Sequence, residues 1–147
     1  MQATVTTGVA EDLALFLKHL LRSTTREFFS SLQEAGISFT QLKCLGMLSD
    51  ADEAISLGAL SEEMGLSLAA VSRAVDALVQ RGEVKRQEDP SDRRSRLVTI
   101  TARGRATYER LVAVRVAGLK RFVDELEPSE RAALGSALAP LVERLGR

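Results

Sequence analysis

The sequence predicts a mainly α-helical protein that carries one small β-hairpin. Apolar residues recur at three- and four-residue spacing through most of the 147 residues, and residues that cap helices separate these segments. Only after Gly82 does the pattern change, to one in which inward and outward residues alternate with a period of two. A chain of this length buries a core of its own, so it needs no disulfide or metal ion for stability.

The composition excludes several classes of protein. One cysteine, Cys44, and one histidine, His19, provide neither an internal disulfide nor the ligands of a structural zinc site. We expect a cytoplasmic protein with no membrane partner, because the N-terminus lacks a signal-peptide pattern and the apolar runs are short. We expect no enzymatic activity and no cofactor, because there is no Gly-rich phosphate loop and no nucleophile with an obvious histidine partner.

Two helices are predicted in the first part of the chain. The first spans residues 9–35 and is stopped by Gly36. Its apolar stripe consists of Leu13, Phe16, Leu17, Leu20, Leu21, Thr24 and Phe28. Ser38 and Gln41 then form a capping box that opens a second helix, and the acidic stretch 49–54 follows as a loop.

Two short helices follow, joined by Gly65-Leu66-Ser67. Gly65 is suited to a left-handed cap at the end of the third helix, and Ser67 is suited to cap the start of the fourth. A turn of this length containing glycine between two short helices is the signature of a helix-turn-helix, whose second helix enters the major groove of DNA.

The fourth helix, residues 68–81, is therefore the predicted recognition helix. Val71, Val75 and Leu78 recur at helical spacing and face the core. The outward positions are Ala69, Ala70, Ser72, Arg73, Asp76 and Gln80.

A β-hairpin is predicted after Gly82. Residues 84–87 and 97–100 alternate with period two, and the turn-rich stretch 88–92 separates them. A hairpin that directly follows a helix-turn-helix is a wing. Its tip holds Pro90, Asp92, Arg93 and Arg94.

The last two helices are predicted to begin at Thr101 and Pro128. Between Tyr108 and Leu126 apolar residues occupy more than one helix face, so this helix must be covered on both sides. A second copy of the chain, related by a two-fold axis, is the simplest cover.

These elements predict one domain with three parts. The domain spans residues 1–147, the winged helix-turn-helix module spans 56–103, and the flanking dimerisation helices span 9–35 and 104–147.

Charge is unevenly distributed along a chain whose formal net charge is zero. Residues 67–105 contain nine basic and five acidic side chains, an excess of four, so the rest of the chain carries a net charge of −4. Every charge between Asp50 and Glu63 is negative. A basic block suits a phosphate backbone, although such a block is also compatible with a solvated surface.

Several segments, in this order and spacing, together resemble the MarR family of bacterial winged-helix regulators. The most specific is the wing segment Asp89-Pro90-Ser91-Asp92-Arg93-Arg94. The others are the cap from Ser38 to Gln41, Leu57-Gly58-Ala59-Leu60, Leu66-Ser67, Val71-Ser72-Arg73, Leu78-Val79-Gln80-Arg81-Gly82 and Leu97-Val98-Thr99-Ile100-Thr101 leading to Gly104. The resemblance covers nearly the whole chain.

The resemblance implies a homodimer that binds pseudo-palindromic double-stranded DNA, usually as a repressor. It also implies a regulator of a kind that often releases DNA on binding a small aromatic or phenolic effector, or on oxidation. The family residue in the place of Arg94 enters the minor groove, and the one in the place of Asp92 steadies it. At Ala70 the family often has Thr or Ser, so this chain lacks one hydroxyl there and depends more on Ser67, Ser72 and Arg73.

The predicted DNA-binding residues lie on the fourth helix and the wing. They are Ser67, Ala69, Ala70, Ser72, Arg73, Asp92, Arg93, Arg94 and Arg96. Arg73 either binds guanine or phosphate or pairs with Asp76 or Glu83, and Asp92 either holds Arg94 or only favours the turn. Arg103 and Arg105 suit phosphate contacts and a solvated face about equally.

Effector binding has three weaker candidates, His19, Cys44 and Met47. Cys44 lies in an apolar stripe, where a thiol is usually inert packing, and Met47 is equally suited to the core, as is Tyr108. A winged helix that contacts proteins and does not bind DNA is the alternative function. The arginines of the wing favour DNA over that alternative.

Overall fold

A computed structural model describes residues 2–92 and 95–146, without the side chains of residues 2–7, 23 and 24. Arg93 and Arg94 therefore lie outside the described residues. The helices are α1 (Gln2–Ala35), α2 (Phe39–Asp50), α3 (Leu57–Met64), α4 (Leu68–Gln80), α5 (Ala102–Glu125) and α6 (Pro128–Leu145). The strands are β1 (Ile55–Ser56), β2 (Val84–Glu88) and β3 (Arg96–Ile100). The predicted class, mainly α-helical with a small β wing, is confirmed.

The predicted helix caps are present. The backbone N–H of Gln41 donates to Ser38 Oγ at 3.2 Å, and the Gln41 side chain accepts from the Ser38 N–H at 2.8 Å. Helix α1 begins earlier than predicted, at Gln2, and α2 runs on to Asp50, into the stretch predicted as a loop. The capping box thus fixes where α2 starts, while its end depends on packing.

The chain forms two compact units, of which residues 27–114 form the first, here called the central unit. Its core contains side chains from every element between α2 and β3, with contributions from the end of α1 and the start of α5. The fully buried members are Cys44, Leu45, Leu60, Val71, Val75, Leu78, Val98 and Leu111. Met47 and Tyr108 pack against this core, as the sequence suggested. The inward positions predicted on α4 are confirmed.

The wing belongs to a three-stranded antiparallel sheet with the order β1-β3-β2. The prediction of a two-stranded hairpin was therefore incomplete. In the hairpin itself Val84 pairs with Ile100 and Glu88 with Arg96, whereas Ile55 of β1 pairs with Val98 on the other side of β3. A two-residue strand is too short to show an alternating pattern, so β1 has no periodic signal in the sequence.

The base of the wing is closed at Glu83. Its backbone carbonyl accepts hydrogen bonds from the N–H of Thr101 at 3.0 Å and from Thr101 Oγ1 at 3.0 Å. Gly104 in the first turn of α5 lies so close that a Cβ atom there would be 2.0 Å from the same carbonyl oxygen. A glycine is therefore required at position 104 for the start of α5 to reach the start of β2.

The Glu83 side chain is buried beneath this junction. Its Oε1 accepts from Thr107 Oγ1 at 3.2 Å and from Arg81 Nη2 at 3.3 Å. The same Arg81 nitrogen donates to the carbonyl of Ala35, the last residue of α1, at 2.7 Å. Because the Glu83 carboxylate is buried and Arg81 is its charged partner, loss of Arg81 would leave an uncompensated buried charge, so this junction is costly to break.

The second compact unit contains residues 2–26 and 115–146 within the described chain and is here called the terminal unit. Phe16 and Phe122 meet edge to face, with ring centroids 5.6 Å apart. Within α6 no described side chain is buried, and Leu145 is 80% exposed. The large apolar residues that recur at helical spacing on α6, namely Leu138, Leu141, Val142 and Leu145, are therefore exposed. In the described part of the chain, no helix is long and apolar enough to cross a membrane.

Gly104→Ala should destabilise the protein, because the added methyl group would overlap the Glu83 carbonyl oxygen. The expected loss is about 1–3 kcal/mol of unfolding free energy, the usual cost of overpacking. Urea denaturation at one fixed protein concentration measures it. Gly58→Ala is the matched control, since its Cβ would meet nothing closer than 3.8 Å. Equal stability of the two variants would contradict the close approach.

Candidate nucleic-acid interface

The turn between α3 and α4 has the geometry of a helix-turn-helix. Gly65 adopts a left-handed conformation with φ 64°, which a residue with a side chain rarely does. Ser61 Oγ donates to the Leu66 carbonyl at 2.6 Å, and Ser67 Oγ accepts from the N–H of Ala70 at 3.2 Å. The predicted capping role of Ser67 is confirmed, and these bonds fix the point where α4 begins.

The outward face of α4 is largely the predicted one. Ala69, Arg73 and Asp76 are exposed, while Ala70 and Ser72 are half-buried. Among the described side chains Arg73 makes no ion pair, and its two predicted intramolecular partners are engaged elsewhere, Asp76 by Arg86 and Glu83 by Arg81. The guanidinium of Arg73 is thus available on the exposed surface.

Arg86 of β2 joins the wing to α4, a link that the sequence analysis missed. Its Nη1 pairs with the Asp76 carboxylate, and its Nη2 donates to Ser72 Oγ at 3.4 Å. The strand pattern could have indicated this link. Arg86 lies two residues after the buried Val84, so both side chains point to the same face of the sheet. A cation on the inward face of a strand requires a partner.

The described part of the wing tip is organised by short-range hydrogen bonds. Asp89 accepts from the Ser91 N–H at 2.8 Å and from Ser91 Oγ at 2.6 Å, and these bonds lower the pKa of the exposed Asp89 carboxyl. The Asp92 carbonyl accepts from the N–H of Ser95 at 2.8 Å. Arg96 forms an ion pair with Glu88. The predicted contacts of Arg93 and Arg94 fall outside the described residues, so the pairing of Asp92 with Arg94 stays a prediction.

A cleft of about 420 Å³ lies between α4, the start of α3 and the wing. It brings together predicted DNA-binding residues of both α4 and the wing, namely Ser72, Asp92 and Arg96. Residues that were not predicted also line it, among them Ser56, Leu68 and Arg86. The recognition helix and the wing therefore present one continuous concave surface.

The two arginines after the wing differ in their surroundings. Arg105 Nη1 donates to the Ser49 carbonyl at 3.0 Å and to Ser49 Oγ at 2.9 Å, so it ties α5 to the end of α2. Arg103 is exposed. Arg105 is exposed as well and its Ser49 partners are uncharged, so the two arginines differ in that Arg105 is held in place by hydrogen bonds.

The three effector candidates are not brought together within one compact unit. Cys44 is buried, with its sulfur 3.5 Å from the sulfur of Met64, and Met47 is half-buried beside the same core. His19 belongs to the terminal unit, where its ring is 6.0 Å from that of Phe122. A role of any of the three in effector binding stays a prediction.

The fold and this interface define a winged helix-turn-helix regulator of transcription. A family model described as MarR family matches residues 35–95. Among relatives, the helix-turn-helix transcriptional regulator YfiV of Bacillus subtilis is 30% identical over 135 residues, which cover 92% of this chain and 83% of YfiV. The regulator YdgJ of the same organism is 34% identical over 104 residues, 71% of this chain and 63% of YdgJ, so the chain spans less than two thirds of that relative.

A solved structure agrees with these relatives. The crystal structure of a mutant MarR from Escherichia coli superposes with a TM-score of 0.70 at 25% identity, covering 88% of this chain and 95% of that one. The chain belongs to the MarR family of transcriptional regulators, which are DNA-binding proteins and not enzymes.

Cys44 should react very slowly with iodoacetamide in the folded protein. Burial raises the pKa of this thiol from its ordinary value of 9.0 to about 11, which at pH 8 lowers the reactive thiolate fraction about a hundredfold. Cys44 is the chain's one cysteine, so mass spectrometry of the alkylated protein reports on it alone. The urea-unfolded protein is the control and should react at the rate of a free thiol. Similar rates in both states would show that Cys44 is accessible.

Proposed function

We propose that the chain is a homodimeric repressor that binds a pseudo-palindromic operator, with α4 in the major groove and the wing along the adjacent minor groove. The observation that carries this proposal is the exposed Arg73, without an ion pair among the described side chains, on a recognition helix whose other charged residue, Asp76, is neutralised by Arg86. Repression is supported by MdtR of Bacillus subtilis, which is named a transcriptional repressor. MdtR is 26% identical to this chain, and the match covers 81% of this chain and 76% of MdtR.

Dimerisation through helices 9–35 and 104–147 is supported by the apolar surface of the terminal unit. Large exposed apolar side chains recur on all three of its helices. They include Leu13, Leu17, Leu21, Val116, Leu119, Leu138, Leu141 and Leu145. Exposed large apolar side chains that recur on every helix of one unit favour a protein interface, and a two-fold dimer would cover them with a second copy of the same helices.

The family resemblance further suggests release of DNA by a small aromatic or phenolic effector. The candidate residues for contacting such an effector are His19, which lies beside Phe122, Met47 at the edge of the central core, and the buried Cys44.

The dimer and its operator can be tested together. Light scattering should give twice the 16.0 kDa of one chain at micromolar concentration. Selection of bound fragments from the source genome, followed by footprinting, should show two half-sites about 10 base pairs apart, since two symmetric recognition helices must face the same side of the duplex. A stable monomer would remove the basis for this geometry. Binding without sequence preference would favour the protein-contact alternative.

Arg94→Ala should weaken binding mainly through electrostatics, because the resemblance places this charge in the minor groove. A dimer would lose two contacts, so the slope of log affinity against log salt should flatten by up to roughly 1.8, at about 0.9 for each contact. Titrations of the selected operator at several salt concentrations measure this slope, with circular dichroism and scattering confirming a folded dimer.

Arg73→Ala is the matched comparison for Arg94→Ala. If Arg73 contacts a base edge, its loss should reduce discrimination at one position of each half-site by about 1–3 kcal/mol and change the salt slope less.

The Arg94→Ala prediction has its own contradicting outcome. If the folded Arg94→Ala dimer binds the operator with the affinity and salt slope of the parent protein, the wing does not contact the operator.

A further inference from the structure

The first turn of α4 presents apolar side chains where a recognition helix comes closest to the bases. Leu68, the first residue of the helix, is 54% exposed and lines the cleft between α4 and the wing. Ala69, the next residue, is also exposed. In helix-turn-helix proteins the N-terminal residues of the recognition helix contact base edges. Leu68 therefore occupies a position suited to base readout without carrying a hydrogen-bonding group.

The polar groups around Leu68 are partly engaged within the protein, although each serine hydroxyl keeps its O–H donor. Ser67 Oγ accepts from the Ala70 N–H, Ser72 Oγ accepts from Arg86, and the Asp76 carboxylate is paired with the same arginine. Arg73 keeps a full set of donors on the exposed face. The groups of the first two turns that can contact bases are therefore the Arg73 guanidinium, the O–H donors of Ser67 and Ser72, and an apolar patch, defined here as Leu68 and Ala69.

An apolar side chain has one specific partner in the major groove. Each base pair presents hydrogen-bonding groups there, and thymine alone adds a methyl group. Contact between Leu68 and that methyl removes apolar surface of both from water, whereas contact with a hydrogen-bonding edge would leave that edge unsatisfied. The exposed patch thus favours thymine over the other bases at the position it faces.

We propose that Leu68 is a specificity-determining residue that contacts the 5-methyl group of one thymine in each operator half-site. This inference rests on the proposed function, in that it requires α4 to lie in the major groove. It assigns the residue a role separate from that of Arg73, because Leu68 recognises one base through its methyl group and makes no electrostatic contribution.

The test replaces thymine by uracil in the selected operator, one position at a time and in both half-sites. This change removes the methyl group and leaves base pairing intact. At one position the parent protein should lose about fourfold in affinity for each half-site, the factor that corresponds to burial of one methyl-sized group. In Leu68→Ala the same replacement should change affinity less than about 1.5-fold, roughly the noise of a titration, because the partner of the methyl is gone.

Two further variants separate a direct contact from a general loss of structure. Val79→Ala is the matched control, because Val79 is a 38% exposed apolar residue on the same face of α4, about three turns further along. It should keep the full effect of uracil. Leu68→Met should also keep most of that effect, since it preserves an apolar side chain of similar volume. The salt slope of Leu68→Ala should equal that of the parent, because no phosphate contact is lost.

The different failures are distinguishable. Absence of sequence-specific binding by the parent protein would overturn the proposed function and this inference with it. If the parent protein binds specifically but no thymine position responds to uracil, the role of Leu68 is overturned and the proposed function stays intact. The same holds if uracil changes the affinity of Leu68→Ala and of Val79→Ala by the same factor.

Discussion

The hydrogen bonds and close packing at Glu83 are the constraint on which the central unit depends. Its carbonyl joins the start of β2 to Thr101 at the start of α5, and Gly104 permits the approach. Its carboxylate reaches Thr107 of α5 and Arg81 at the end of α4. Glu83 therefore holds three points close together: the start of β2, the start of α5 and the end of the recognition helix. The pairing of β2 with β3 follows from that closure.

The recognition helix is positioned at both ends by different kinds of interaction. At its start, the left-handed Gly65 and the Ser67 cap act through the backbone and are local in sequence. At its end, Arg81 is anchored to the carbonyl of Ala35, which is distant in sequence. The first kind determines where the helix begins, and the second determines how it sits in the central unit. A helix held in both ways presents its outward face in a defined orientation.

The sequence predicted most of the fold because local patterns determine most of it. The capping box of Ser38, the glycine at 65 and the alternation on either side of the wing tip each depend on neighbouring residues. The core positions of α4 followed from helical spacing. The strand Ile55–Ser56 could not be predicted, because it exists only through pairing with β3.

The interface was less predictable than the fold, since it depends on side chains that meet only after folding. The outward positions of α4 followed from periodicity, but the pairing of Asp76 with Arg86 joins two residues that lie ten positions apart in the chain and on different elements. The same holds for Arg105, which the sequence left open and which is tied to Ser49. The DNA contacts of the wing tip, Arg94 above all, remain a sequence prediction.

The pairing of Arg86 with Asp76 also constrains how this protein can change during evolution. A free carboxylate on the surface of α4 would repel a phosphate backbone, so Asp76 is tolerable there because the wing supplies its counter-charge. Replacing Arg86 would expose that repulsion and remove this side-chain link between the wing and the helix. Substitutions at 76 and 86 are thus coupled, and a lineage that acquires a new operator preference is expected to keep this pair while varying its neighbours.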